Sequence, residues 1–355
     1  MTADSAGGVW TYALELARAL RTRDVEVTLA ISGPPLRPEQ QAELVSAGVP
    51  ADARPLKLEW MRDPWADLVQ AGEWLLALGE ELEPDVVHLN AFSQAALPWQ
   101  APRLVVGHSC VLSWFRAVRG CEAPPEWEAY AEAVRTGVAA ADLVVAPTRA
   151  MLAELRRLYR PSCPARAIPN GRTPLGLPVH PADKDPFVLA AGRLWDDAKN
   201  AAALDRVAPS LPWPVLLAGA VDPDDAPHNA TALGLLAPDA LWSFLSRAAV
   251  FAAPARYEPF GYGPLEAALA GCALVLGDIP SLREVWRDDA VYVDPEDDDA
   301  LRTALRLLTD DSGFRHELAL RASERGRAYT ADAMAVRYHD AYRALLAPTP
   351  LIEAA

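Results

Sequence analysis

Two glutamates eight positions apart, Glu258 and Glu266, bracket a loop of proline, phenylalanine, glycine and tyrosine in RYEPFGYGPLEAAL, residues 256–269. The apolar run before it, VFAAPA, predicts a strand, and LEAALA within it predicts a helix. Pro264 suits the first turn of that helix, where its missing N–H has no intrahelical partner; Glu266 then falls in the first turn and Glu258 in the loop. Backbone N–H groups from Phe260 and Gly261 to Leu265 would point out of the helix end, a favourable place for an anion such as phosphate. Carboxylates repel phosphate, so the two acids read as acceptors for neutral hydroxyls, which sugars present in vicinal pairs. A ligand carrying both phosphate and sugar satisfies both requirements. Taken singly, a helix-start acid and a surface loop acid are the plainer readings.

A diphosphate also needs cations. AGRLWDDAKNAAAL (191–204) follows a predicted strand and offers Arg193, able to fork onto two phosphate oxygens, and Lys199, a point charge six residues on. The acid pairs Asp196–Asp197 and Asp224–Asp225 read as solvent-facing, and no metal is expected. Near the amino terminus, DSAGGVW (4–10) sets Gly7 and Gly8 just before a helix, where absent side chains let a ligand approach the backbone or simply allow a tight turn. His108, ending the strand RLVVG, and Asn90, ending DVVHL, are strand-terminal polar groups. His108 reads either as a satisfied structural histidine or as a group meeting the ligand from the far side of a cleft.

The elements that must position these residues alternate. VEVTLAI (25–31), DVVHL (85–89), RLVVGH (103–108) and ADLVVAP (141–147) are short β-branched runs separated by helical patterns such as WTYALELARALRTR (10–23) and ADLVQAGEWLLALGEEL (66–82). The rhythm restarts with PFVLAAG (186–192), PVLLAGA (214–220), AAVFAAPA (248–255) and CALVLG (272–277). Two α/β sheets of the doubly wound kind follow, joined through the proline- and glycine-rich stretch Pro161–Pro186. A chain of 355 residues also exceeds what one core usually fills.

A formal charge of -15 argues against nucleic acid or an anionic membrane as the main partner. The longest apolar runs are far below the roughly 20 residues that span a bilayer. Cys110, Cys121, Cys163 and Cys272 have no metal-like spacing and read as reduced thiols, and with no secretory signal in view a cytoplasmic protein is expected.

EPFGYGPLE (258–266) resembles the E-x7-E signature of the retaining GT-B glycosyltransferases of family 4, the glycosyl transferases group 1. The likeness covers most of the chain: GGVWTYALELARAL resembles the family's glycine pair and first helix, GHS its first-domain histidine segment, ADLVVAPT and IPNG the end of that domain, GRLWDDAKN its phosphate motif and LAGCALVLGDIPSLREV the segment after the second glutamate. The resemblance implies two Rossmann-like doubly wound domains facing a cleft: residues 1–180 on the acceptor side, 181–330 binding a nucleotide-diphospho-sugar, and 331–355 a last helix returning to the first domain. Only six residues precede Gly7, so just the end of the family's first strand is expected there.

Carried over, Arg193 and Lys199 bind the donor diphosphate, Glu266 the ribose hydroxyls and Glu258 the donor sugar, while Phe260 and Gly261 offer backbone contacts. Gly7 and Gly8 line the donor, and His108 faces the sugar near the reacting centre. The implied activity is transfer from a UDP-, GDP- or ADP-sugar, with retention and without a metal, to a soluble sugar, polysaccharide or metabolite. A GT-B nucleotide-sugar epimerase and a non-catalytic sugar-nucleotide-binding protein are the other readings. The tryptophan-rich stretches 58–68 and 110–130 read as helix packing or as surfaces for stacking on an acceptor.

Overall fold

The structure, a computed structural model, describes residues 1–176, 180, 183–220 and 226–347. In the N-terminal half, β1 (Thr2–Asp4), β2 (Leu29–Ser32) and β3 (Ala51–Arg54) form one parallel sheet in the order β1-β2-β3. A second parallel sheet runs β4 (Val87–Leu89), β5 (Arg103–Val106), β6 (Leu143–Ala146), β7 (Ala165–Ala167). Asn90 bridges the two: its N–H donates to Thr2 Oγ1 at 2.8 Å and its Nδ2 to the Thr2 carbonyl at 2.5 Å. The six residues before Gly7 thus supply a three-residue strand in register with β2. The connecting stretch from Pro161 is not wholly irregular, because β7 lies within it as an edge strand on β6, where flanking prolines cost no ladder bond.

The C-terminal half is one parallel sheet built from β8 (Asp185–Ala191), β9 (Val215–Ala218), β10 (Thr231–Gly234), β11 (Ala248–Ala253), β12 (Ala273–Gly277) and β13 (Val291–Val293), in the order β10-β9-β8-β11-β12-β13. Its central strands β11 and β12, AAVFAA and ALVLG, are buried almost throughout, as a parallel sheet covered on both faces requires.

Helices supply the cover. They are α1 (Gly8–Arg21), α2 (Pro38–Ala47), α3 (Trp65–Leu82), α4 (Val111–Trp114), α5 (Glu128–Ala140) and α6 (Arg149–Tyr159) in the first half. The second half adds α7 (Ala201–Val207), α8 (Pro238–Arg247), α9 (Tyr262–Leu269), α10 (Pro280–Trp286), α11 (Asp298–Asp310), α12 (Ser312–Gly326) and α13 (Ala331–Leu346). One core packs each face of each half. Met334, Ala335, Tyr338 and Ala341 of α13 share the core of Tyr12, Leu16 and Leu20 of α1, so this helix lies against the N-terminal half. Tyr12 and Tyr342 hydroxyls hold the two ring nitrogens of buried His88, at 3.1 and 2.6 Å. Residues 348–355 lie outside the described residues. All four cysteines are free thiols, and no helix among the described residues is long and apolar enough to cross a membrane.

Candidate functional site

In the C-terminal sheet the chain leaves β8 toward β9 and β10, and leaves β11 toward β12 and β13. The loops after β8 and β11 therefore diverge from adjacent strand ends and open a crevice, the position where open α/β sheets bind ligands. Arg193 and Lys199 follow β8; Glu258 and Glu266 follow β11. Strand order thus brings together two motifs about sixty residues apart. Asn200, in the left-handed region at φ 55, pins the first loop by donating Nδ2 to the carbonyls of Pro254 and Pro295 at 3.1 and 2.8 Å. The Arg256 N–H reaches the Ala198 carbonyl at 2.9 Å, so the two loops are stitched to each other.

Each cation of the set is bonded to a carboxylate. Lys199 Nζ lies 2.5 Å from Glu258 Oε2, and Arg193 Nη2 lies 3.0 Å from Asp196 Oδ2 with its guanidinium over the Trp195 ring. Asp196 is a correction to the sequence reading. Expected to face solvent, it is 6 % exposed, because Oδ1 accepts from the Ala198 N–H and from Trp114 Nε1, both at 3.0 Å. Trp114 comes from the N-terminal half, so this acid is covered from across the cleft. Asp197 is half-exposed and pairs with Arg119 of the same covering segment. Asp224–Asp225 lies outside the described residues.

The helix carrying Glu266 also begins earlier than the sequence implies. Gly261, at φ 96, takes a left-handed conformation that suits glycine, and α9 starts at Tyr262. Pro264 is therefore third in the helix and Glu266 fifth, past the first turn. Of the N–H groups expected to face an anion, that of Leu265 is taken by the Gly261 carbonyl at 3.1 Å, and Pro264 has none. The Phe260 side chain is core, packed edge-on against Tyr262 and Tyr329. Glu266 Oε1 accepts from Arg172 Nε at 2.7 Å, and Arg172 Nη1 bonds Glu15 of α1. Burial raises the Glu266 pKa, with Arg172 opposing it.

On the facing side, Gly7 (φ 73) ends the turn after β1. A Cβ there would lie 3.9 Å from Arg193 Nη1, and one on Gly8 3.4 Å from Tyr262 Cδ2, so the glycine pair abuts the C-terminal loops. His108 Nε2 meets Asn90 Oδ1 at 2.8 Å, and its ring stands edge-on to Tyr12 at 4.4 Å. Because Asn90 spends Nδ2 on Thr2, its Oδ1 must accept; the proton sits on His108 Nε2 and Nδ1 carries the lone pair. Burial pushes the His108 pKa down to about 3. His108 is thus a neutral hydrogen-bonding group.

Sequence reasoning missed four residues. Asp4, ending β1, is pushed up to about 8 by burial and by Glu59, against Trp60 and Arg193. Arg172 and Asp196 were hidden among linker residues and an acid pair. Tyr257, beside Glu258, sends its hydroxyl across to Ser113 Oγ at 2.8 Å and accepts from the Cys110 N–H at 3.2 Å. An aromatic flanking the acid motif was the available signal for it. The 110–130 tryptophan stretch packs on itself: Trp114, Phe115, Trp127 and Tyr130 form a chain of ring contacts, whereas Trp65 of the 58–68 stretch is 42 % exposed.

Residues 6–174 match Glycosyltransferase Family 4 and residues 224–328 match Glycosyl transferases group 1. D-inositol 3-phosphate glycosyltransferase of Xylanimonas cellulosilytica is 29 % identical over 402 aligned positions, covering 95 % of this chain and 91 % of the relative. Alpha-maltose-1-phosphate synthase of Mycolicibacterium smegmatis is 29 % identical over 306, covering 73 % and 74 %. Among solved structures, sucrose-phosphate synthase of Thermosynechococcus elongatus superposes with a TM-score of 0.79 at 22 % identity, covering 98 % and 95 %. HepE of Anabaena, in complex with UDP-glucose, superposes at 0.76 with 15 % identity, covering 96 % of each chain. With both motifs at the switch point of a doubly wound sheet and the family matches spanning both halves, the chain belongs to the family 4 glycosyltransferases of the GT-B fold.

Proposed function

We propose that the protein transfers a sugar from a nucleotide-diphospho-sugar to a soluble acceptor in the cytoplasm, with retention of anomeric configuration. The observation that carries this is the convergence of Arg193, Lys199, Glu258 and Glu266 on two adjacent strand ends opposite Gly7 and Gly8. Arg193 and Lys199 take the diphosphate and stabilise the charge that grows on it as the sugar departs. No metal is assigned to this step. Glu266 takes ribose hydroxyls and Glu258 sugar hydroxyls; neither acts as the acid or nucleophile of a hydrolase, and a front-face departure and attack accounts for retention. Neutral His108 accepts a sugar hydroxyl at Nδ1. The complex of HepE with UDP-glucose supports a UDP-sugar as the first donor to test, with GDP- and ADP-sugars beside it. The formal charge of -15 supports an acceptor that is a sugar, polysaccharide or metabolite rather than an anionic lipid surface.

The test is a screen of nucleotide sugars reading released nucleoside diphosphate, with and without acceptors that include D-inositol 3-phosphate. Release that depends on acceptor, with an α product from an α donor, is expected. An epimerised donor formed without acceptor, or binding without turnover, would overturn the proposal.

A further inference from the structure

Glu266 does not stand alone: it is one end of a buried three-residue clamp that reaches the place where the chain passes between its halves. Arg172 donates Nε to Glu266 Oε1 at 2.7 Å and Nη1 to Glu15, while Glu15 Oε2 accepts from the Thr173 N–H at 3.2 Å and Thr173 Oγ1 at 2.7 Å. All three charged side chains are at most 15 % exposed. The backbone beside them is equally confined. The Arg172 N–H bonds the Tyr329 carbonyl at 2.9 Å, and a Cβ on Gly171 would lie 2.1 Å from the Thr330 carbonyl oxygen. The outward and returning passages of the chain therefore touch at 171–173 and 329–331, and Arg172 extends from that junction into the site.

We propose that Arg172 is a positioning residue for the donor ribose: clamped by Glu15, it orients Glu266 so that Oε2 faces a vicinal diol, coupling ribose recognition to the junction between the halves. This rests on the reading of Glu266 as the ribose acceptor. Oε1 is committed to Arg172, and no hydrogen bond among the described residues uses Oε2. The guanidinium also opposes the burial that raises the Glu266 pKa, and so favours the ionised, hydrogen-bond-accepting form. A lysine retains the charge but not two directed bonds to two carboxylates.

The experiment measures, by calorimetry, binding of UDP, GDP and ADP and of the 2′,3′-dideoxy analogue of whichever binds tightest, to the wild-type chain, Arg172→Met, Arg172→Lys and Glu15→Gln. The wild type should prefer the ribonucleotide by roughly tenfold or more, the worth of hydrogen bonds to a charged acceptor. Arg172→Met should erase that preference while leaving dideoxy affinity within about twofold, Arg172→Lys should retain part of it, and Glu15→Gln should lower it by about threefold. A folded Arg172→Met with the wild-type preference, or equal losses for both nucleotides, overturns the inference. If Arg172→Met does not fold, an unchanged preference in Glu15→Gln overturns it. A wild-type chain that binds both nucleotides equally, or none, refutes instead the ribose reading of Glu266 on which the inference stands.

Discussion

Lys199 Nζ and Glu258 Oε2 are 2.5 Å apart, so the cation assigned to the donor diphosphate and the acid assigned to the donor sugar are bonded to each other. A phosphate oxygen approaching Lys199 competes with that carboxylate. Glu258→Gln should therefore bind a nucleoside diphosphate about threefold to tenfold more tightly, the scale of a partly buried ion pair, while sugar transfer falls by about 100-fold. Calorimetry beside turnover measures both. Weaker diphosphate binding in the variant would show that Glu258 helps rather than opposes the phosphate.

Lys199→Ala and Glu266→Ala would remove the proposed charge and hydroxyl contacts to the donor without touching either core of the C-terminal half. Each should lower transfer by about 100-fold to 1,000-fold, the range for losing one electrostatic stabiliser, with an unchanged circular dichroism spectrum. Near-normal turnover in either would sink the donor assignment.

His108 should show no titration in the range of an ordinary histidine. Its pKa falls from 6.5 to about 3 through burial, and Asn90 fixes the proton on Nε2. Nitrogen NMR of the imidazole should report the neutral Nε2–H tautomer throughout mildly acidic to neutral pH. The same shift costs stability in acid: the unfolded chain gains a proton below about pH 6.5 that the folded one refuses until about pH 3. An imidazolium signal near pH 6 in the folded protein contradicts this geometry.

The parallel-sheet class was readable because the interior strands carry it: Val188, Leu189, Val250, Phe251 and Leu274 are β-branched, aromatic or aliphatic and fully buried. Edge strands have no such pressure. β3 reads ADAR and β10 TALG, with most positions exposed, and neither departs from loop composition. In the candidate site, residue type and order along the chain could single out Arg193, Lys199, Glu258 and Glu266, whose motifs are local, and strand order sets those motifs on adjacent strand ends. Asp196 and Arg172 were illegible for a different reason. Their significance lies in partners about 80 and 157 positions away, Trp114 and Glu15, and no local pattern encodes a contact across the cleft.

Asp4, at the end of β1, supplies a pH test. Burial and the neighbouring Glu59 raise its pKa from 3.8 to about 8, with Trp60 and Arg193 pulling the other way. The folded carboxyl then holds a proton that the unfolded one has already released. Asp4's own contribution to stability falls as pH rises from about 4 through about 8, by at most about 1.4 kcal/mol per pH unit for one proton, and levels off above, opposite in sign to that of His108 at the acid end. Asp4→Asn has no proton to lose, and its amide oxygen can still accept from Trp60. The variant should match the wild type near pH 4 and become progressively the more stable of the two toward pH 8, in urea unfolding at matched ionic strength. Parallel stability curves for the two proteins across that window would mean that Asp4 is ionised in the fold and that the charge it presents to Arg193 is present at neutral pH.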